Sequence, residues 1–291
     1  MSRLIGQFGV STSICAGDAR RVASGDYKLS EKDIVRGYMS LLEDFASFSL
    51  ENRFENIEIE FGFSLIGARR LFQSVEKLKE IIRPFRTVSC HLPIGEINIS
   101  AVNALVRRNA IAETKRHIDL CIELGISKLV IHPGSFASMP DRYLLLEGAT
   151  REIARHSVFE IYRYCNRRDI ELSIENLHCN EPFFQEPDEF EPFIRRGIGM
   201  TLDSVHAFSS GVDPLDFIRK FGKKVTEVHL TDGVKGDPFA DCPVGSGMVD
   251  CLGILQALEE TGFDGMVILE VLSRESLVKS RKFLEGRGYL N

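Results

Sequence analysis

Apolar positions along the chain fall into two alternating patterns. Short runs of four to nine residues read as strands, and longer stretches with apolar residues three and four apart read as helices. Ile5–Ser13 is the first predicted strand. A polar loop follows to Ser30, which opens a helix with Glu31, Lys32 and Asp33 in its first turn and an apolar face of Ile34, Tyr38, Leu41, Leu42 and Phe45. Asn56–Glu60 alternates as a second strand, and Ala68–Ile82 is helical up to Pro84. Phe85–Leu92 and Lys128–His132 are the third and fourth strands, separated by a helix over Ile99–Leu124 that stops at Gly125. A helix over Leu144–Asn166 leads to a fifth strand, Ile170–Glu175, and a short helix over Pro187–Arg195. Ile198–Leu202 and Val225–Leu230 are the sixth and seventh strands, with Leu215–Phe221 helical between them. A helix over Asp250–Glu260, a strand over Met266–Val271 and a helix over Arg274–Glu285 complete the series.

Eight strands alternating with helices imply parallel strands joined by right-handed crossovers. In a chain of 291 residues this predicts an α/β fold of one domain spanning 1–291, a closed (β/α)8 TIM barrel. An open doubly wound sheet is the competing arrangement, but no G-x-G-x-x-G follows a strand, which weakens its dinucleotide-binding form.

The strand ends carry the chemistry. His91 ends the third strand, His132 the fourth and Glu175 the fifth. Asp203 and His206 follow the sixth, His229 lies in the seventh and Glu270 in the eighth. Each alone reads as a hydrogen-bonded core residue or an ion-pair partner. Together they place ligand-type side chains at one end of six consecutive strands, the end where barrel enzymes do their chemistry. Glu175, Asp203, His229 and Glu270 offer three carboxylates and an imidazole, a donor set for a divalent cation such as Mn²⁺, Zn²⁺, Co²⁺ or Fe²⁺. Asn176 beside Glu175 is a candidate to orient it, His178 three residues on either faces the pocket or caps the loop, and Asp232 either holds the far ring nitrogen of His229 or ends the strand.

The segments IENLH, LDSVHA, EVHLTDG and VILEV resemble the xylose isomerase-like barrel superfamily, from Phe8 to the last helix. That superfamily contains sugar isomerases and epimerases, inosose dehydratases and type IV apurinic endonucleases. The resemblance implies one metal held by Glu175, Asp203, His229 and Glu270. It also implies that Glu175 and Glu270 are catalytic, moving protons next to a carbonyl through an enediolate, and that His206 contacts substrate oxygens. The expected function is isomerisation or epimerisation of a small sugar, sugar phosphate or polyol. Dehydration of a cyclic polyol is a variant of it. The endonuclease alternative implies zinc, with His91, His132 and Glu175 matching its first metal site and His206 one ligand of its third. The other third-site ligands fall on Phe239 and Asp241 when Gly245-Ser246-Gly247 is aligned on the expected turn, and Phe239 cannot ligate. The histidine of the H-x-P-x-G-x-G motif found in many sugar enzymes of the group is also absent, since Asp241-Cys242-Pro243 stands there. His91 and His132 therefore remain open between substrate contacts and a second metal site. A sugar-binding barrel without turnover is a third reading.

Composition narrows the partners. A net charge of −6 offers no general attraction to nucleic acid or to an anionic membrane. No apolar segment approaches the ~20 residues of a membrane span, and the N-terminus lacks a signal-peptide core. Seven cysteines without a C-x-x-C pair fit reduced thiols and a cytoplasmic setting. Cys90 and Cys179 read as apolar filler, Lys235 as a solvated cation and Phe61-Gly62-Phe63 as core near the pocket mouth. His117 and His156 fall in helices away from the site. A small carbohydrate is the expected partner, and homo-oligomers are common in similar enzymes.

Overall fold

The computed structural model describes residues 2–12, 31–61, 66–136 and 140–290. Cys15, Ser30 and the Gly62-Phe63 pair lie outside them. Eight parallel strands close into a barrel: β1 (Phe8–Ser11), β2 (Asn56–Glu60), β3 (Thr87–His91), β4 (Lys128–Ile131), β5 (Glu171–Glu175), β6 (Gly199–Asp203), β7 (Val225–Leu230) and, after the hairpin β8 (Asp232–Val234) and β9 (Asp237–Cys242), β10 (Met266–Leu269). The four-residue β1 lies between β2 and β10, with Phe8 opposite Val267 and Val10 opposite Leu269, and this pairing closes the ring. The expected (β/α)8 architecture is the observed one.

Two predicted helices are interrupted. The segment Ala68–Ile82 is α-helical at Ala68–Leu71 and Val75–Ile82, with a 3₁₀ turn at Phe72–Ser74 between them. The helix expected from Leu144 begins earlier, as Pro140–Leu145, and resumes at Glu147–Asn166. The helix expected from Ile99 starts at Ala104, where the Asn103 side chain accepts the amides of Leu105 and Val106. That is the cap signal at its true start. A six-residue helix at Ser204–Ser209 and the β8–β9 hairpin have no counterpart in the hydrophobic pattern.

Strand alternation decides where the site lies. In β2, Ile57 and Ile59 are buried against the helical layer, so Asn56, Glu58 and Glu60 face inward. A contact between strands that are not neighbours in the ring confirms an inward polar face. Ser89 Oγ of β3 donates to Glu227 Oε1 of β7, across the ring, at 2.9 Å, and on the neighbouring strands β6 and β5 Thr201 Oγ1 meets Ser173 Oγ at 2.6 Å on the same face. Barrel interiors are ordinarily filled by branched apolar side chains. Here the apolar core lies between sheet and helices, and the inside carries two polar tiers. Glu58, Ser89, Ser173, Thr201 and Glu227 form one, and Glu60, His91, Glu175, Asp203 and His229, each two residues further on, form the other.

Candidate metal centre

Glu175, the last residue of β5 and 1% exposed, is the hub. Its Oε2 lies 3.1 Å from His91 Nε2 and 3.2 Å from His132 Nε2. Its Oε1 lies 3.3 Å from His206 Nδ1 and 3.5 Å from His229 Nδ1. The same His229 Nδ1 is 2.8 Å from Glu270 Oε2. Asp203 ends β6, and one of its oxygens accepts the His206 amide at 2.6 Å, capping the helix Ser204–Ser209. That cap brings His206 back over the barrel mouth.

The donor set fits a divalent cation. Glu175, Asp203, His229 and Glu270 each offer a ligand atom, and all four atoms lie within 4.8 Å of one another. His91, His132 and Glu175 form a second such group. Neither ring nitrogen of the fully buried His229 makes an aligned hydrogen bond, although carboxylates lie within 2.8 to 3.5 Å of Nδ1. Donor atoms that crowd together without pointing at one another are what ligands of a common ion show. His91 Nδ1 donates to the Leu92 carbonyl at 2.9 Å, which turns Nε2 toward Glu175. A backbone partner that fixes one ring nitrogen and leaves the other free is the usual support of a metal-binding imidazole.

The electrostatics are polarised. Burial pushes the Glu175 carboxyl up, but the His229 and His132 imidazoles beside it outweigh burial and hold it well below the usual range. Burial likewise raises the Glu270 carboxyl, and His229 more than offsets it. Both glutamates are therefore ionised at neutral pH. Burial lowers His91 and His206, yet the Glu175 carboxylate on the first and chiefly Asp203 on the second drive them up to about 10 and about 9. Burial raises Asp203 to about 6.

The weaker candidates take other roles. Asn176 does not reach the Glu175 carboxylate. Its side chain bonds both ways with the Asp203 backbone, at 2.8 and 3.0 Å, and so ties the ends of β5 and β6. Asp232 does not meet His229. Its two oxygens accept the amides of Gly233, Gly245, Gly247 and Val249 at 2.8 to 3.0 Å. The P-V-G-S-G segment is shaped for this: Gly245 has φ +86°, and a Cβ on Gly247 would collide with Asp232 Oδ1. His178 stands edge-on to His206 and to Phe239, with ring centroids 5.1 and 5.0 Å away. Phe239 is 57% exposed on β9. His178 Nδ1 accepts the Asn180 amide at 3.2 Å, which leaves the ring proton on Nε2. Burial, with the charges of His206 and His132, pushes His178 down to about 3. Its ring signals are expected to stay at the neutral position from pH 8 down to pH 4 in NMR titrations, and a midpoint near 6.5 would contradict this environment. His117 and His156 are remote, bonded within their own helix to Glu113 and Glu152 carbonyls.

Sequence reasoning missed Glu58, Glu60 and Glu227. Burial pushes Glu58 and Glu60 up to about 8 and about 7. The signal was present in N-I-E-I-E: a strand covered by helices outside must turn its polar alternate positions into the barrel.

The xylose isomerase-like TIM barrel family model matches residues 51–287. An uncharacterized protein of Methanocaldococcus jannaschii is 24% identical over 209 residues, 67% of this chain and 68% of that one. An inosose dehydratase of Lacticaseibacillus casei is 26% identical over 114 residues, 31% of this chain and 38% of its own. Among solved structures, a D-tagatose 3-epimerase-like protein superposes with a TM-score of 0.72 at 20% identity, covering 96% of both chains. Among the described residues no helix is long and apolar enough to cross a membrane.

Proposed function

The chain belongs to the xylose isomerase-like TIM barrel family, and from that premise we propose that it is a divalent-metal-dependent epimerase or isomerase of a small sugar or polyol. The observation that carries this reading is the convergence of Glu175, Asp203, His229 and Glu270 on one point, at the carboxyl end of the barrel. Glu175, Asp203, His229 and Glu270 would hold the cation, which would supply Lewis-acid polarisation of a substrate carbonyl. Glu175 and Glu270 come from β5 and from the end of β10, with β6 and β7 between them. They approach a substrate from different sides. Both are held ionised, so either can take the proton beside the carbonyl, and the other returns one, on the opposite face in an epimerase, only after it has itself taken up a proton from water. His132 and His206, part-exposed at the mouth, supply donors for substrate oxygens. The likeness to sugar-epimerase-like and inosose dehydratase proteins supports a carbohydrate substrate.

Metal content of protein purified without added metal tests this. A single ion per chain is expected, lost in Glu175→Ala and retained in His91→Ala. A panel of ketoses in heavy water is then expected to take up deuterium beside the carbonyl. Absence of any bound metal after soaking would overturn the reading. Two or more zinc ions, with some lost in His91→Ala, would shift it to the endonuclease chemistry.

A further inference from the structure

Below the metal centre the barrel holds a second group of side chains that the reaction does not use. Glu58 of β2 is fully buried, and neither of its oxygens receives an aligned hydrogen bond. Its Oε2 lies 3.3 Å from Nε2 of His229, the ring nitrogen that faces away from Glu175 and Glu270. Glu227, two residues before His229, is 3.8 Å from the same nitrogen, but its Oε1 already accepts the Ser89 hydroxyl at 2.9 Å. The free acceptor facing the far side of His229 is therefore Glu58. An unpaired carboxylate in a dry interior is costly, and so is an imidazole N–H without an acceptor. A bond between the two removes both costs.

We propose that Glu58 is the positioning residue of the metal site. With the cation bound, its carboxylate accepts the Nε2 hydrogen of His229, fixes the tautomer whose Nδ1 lone pair faces Glu175 and Glu270, and thereby sets the affinity of the site for a divalent cation. This rests on the metal-site reading above. Supporting carboxylates behind metal-bound histidines act in this way. The geometric rival is a second cation among Glu58, Glu227 and His229, whose ligand atoms are also within 4.8 Å of one another. That arrangement would require His229 to give both ring nitrogens to metal and lose its last ring proton.

Zinc is the probe, and the full chain labelled with ¹⁵N-histidine is the sample. In the zinc-loaded wild type, long-range ¹H–¹⁵N spectra are expected to show His229 bound through Nδ1 with its proton on Nε2. By chelator competition, Glu58→Gln and Glu58→Ala are expected to bind zinc about 10- to 100-fold more weakly while still taking up a single ion at saturation. Wild-type affinity in both variants would overturn the proposal, as would a His229 bound through Nε2. A second ion lost only in the Glu58 variants would overturn it in favour of the rival cation site. The wild-type spectrum decides the tautomer even where a variant fails to fold. Failure of the underlying metal reading shows itself separately, as unchanged zinc binding in Asp203→Ala.

Discussion

Glu175→Gln is expected to abolish stable metal binding and to slow deuterium uptake from solvent by at least about 10³-fold, within the 10²–10⁴-fold that a positioned proton-transfer group contributes. Glutamine keeps the size and shape of the side chain, so the loss reports its charge. One carboxylate faces four imidazoles here, at 3.1 to 3.5 Å, and belongs to both candidate ligand groups. The same variant is expected to change the pH dependence of stability in the metal-free protein. His91 and His206 stand at about 10 and about 9 in the folded state, against an ordinary 6.5. The folded chain thus binds more protons than the unfolded chain above pH 6.5. The stabilisation is fully present below pH 6.5 and is lost as pH rises through 9 to 10. Glu58 and Glu60, raised to about 8 and about 7, bend the curve in the same direction at lower pH. Urea unfolding of metal-free wild type is expected to weaken steadily from pH 7 to pH 10.5. In Glu175→Gln the alkaline part of that slope is expected to flatten, because the carboxylate that raises His91 is gone. An unchanged slope would contradict the hub role.

Asp232→Ala is expected to cost about 3–5 kcal/mol of stability, since buried amides that lose an ionised acceptor each cost about 1–3 kcal/mol and the loop can rehydrate only some of them. The carboxylate is 1% exposed and accepts four backbone amides, three of them from the loop 245–249. Asp232→Asn retains one acceptor oxygen and is expected to fall between wild type and alanine. Urea titration measures both. A loss under about 1 kcal/mol for alanine would show that water replaces the carboxylate there, as it does around exposed hydrogen bonds.

The barrel and the ring of ligand-type residues at its mouth were legible because each rests on a short-range pattern. An apolar run closed by His, Asp or Glu marks a strand end, and six in succession mark a common face. Glu58 and Glu227 were less legible because each lies inside its strand rather than at its end, where an acidic residue in an alternating pattern reads as solvent-facing unless the outer face is covered by helices. The helix Ser204–Ser209 escaped notice because Asp203 serves as its cap as well as a candidate ligand, and six residues are too few for a periodic signal. The β8–β9 hairpin pairs through the backbone at Asp232–Cys242 and Val234–Asp237 with no buried apolar face to announce it. The turn glycine Gly236, at φ +80°, was its one local mark. The partners of Asp232 were not legible because sequence proximity to His229 says nothing about a loop that folds back from 13 to 17 residues downstream.

Closure through β1 and β10 also orders events during synthesis. The first strand made must wait for the last, since residues 8–10 pair with 267–269. Until that final strand leaves the ribosome, the nascent sheet has an unpaired edge, the feature that templates association between chains. In that interval the sheet is open at two strands that β10 later joins, β1 of four residues and β7 of six, and β7 offers the longer edge to a neighbour. Truncation anywhere before residue 266 therefore leaves an open sheet, and such fragments are expected to be recovered with chaperones or in aggregates.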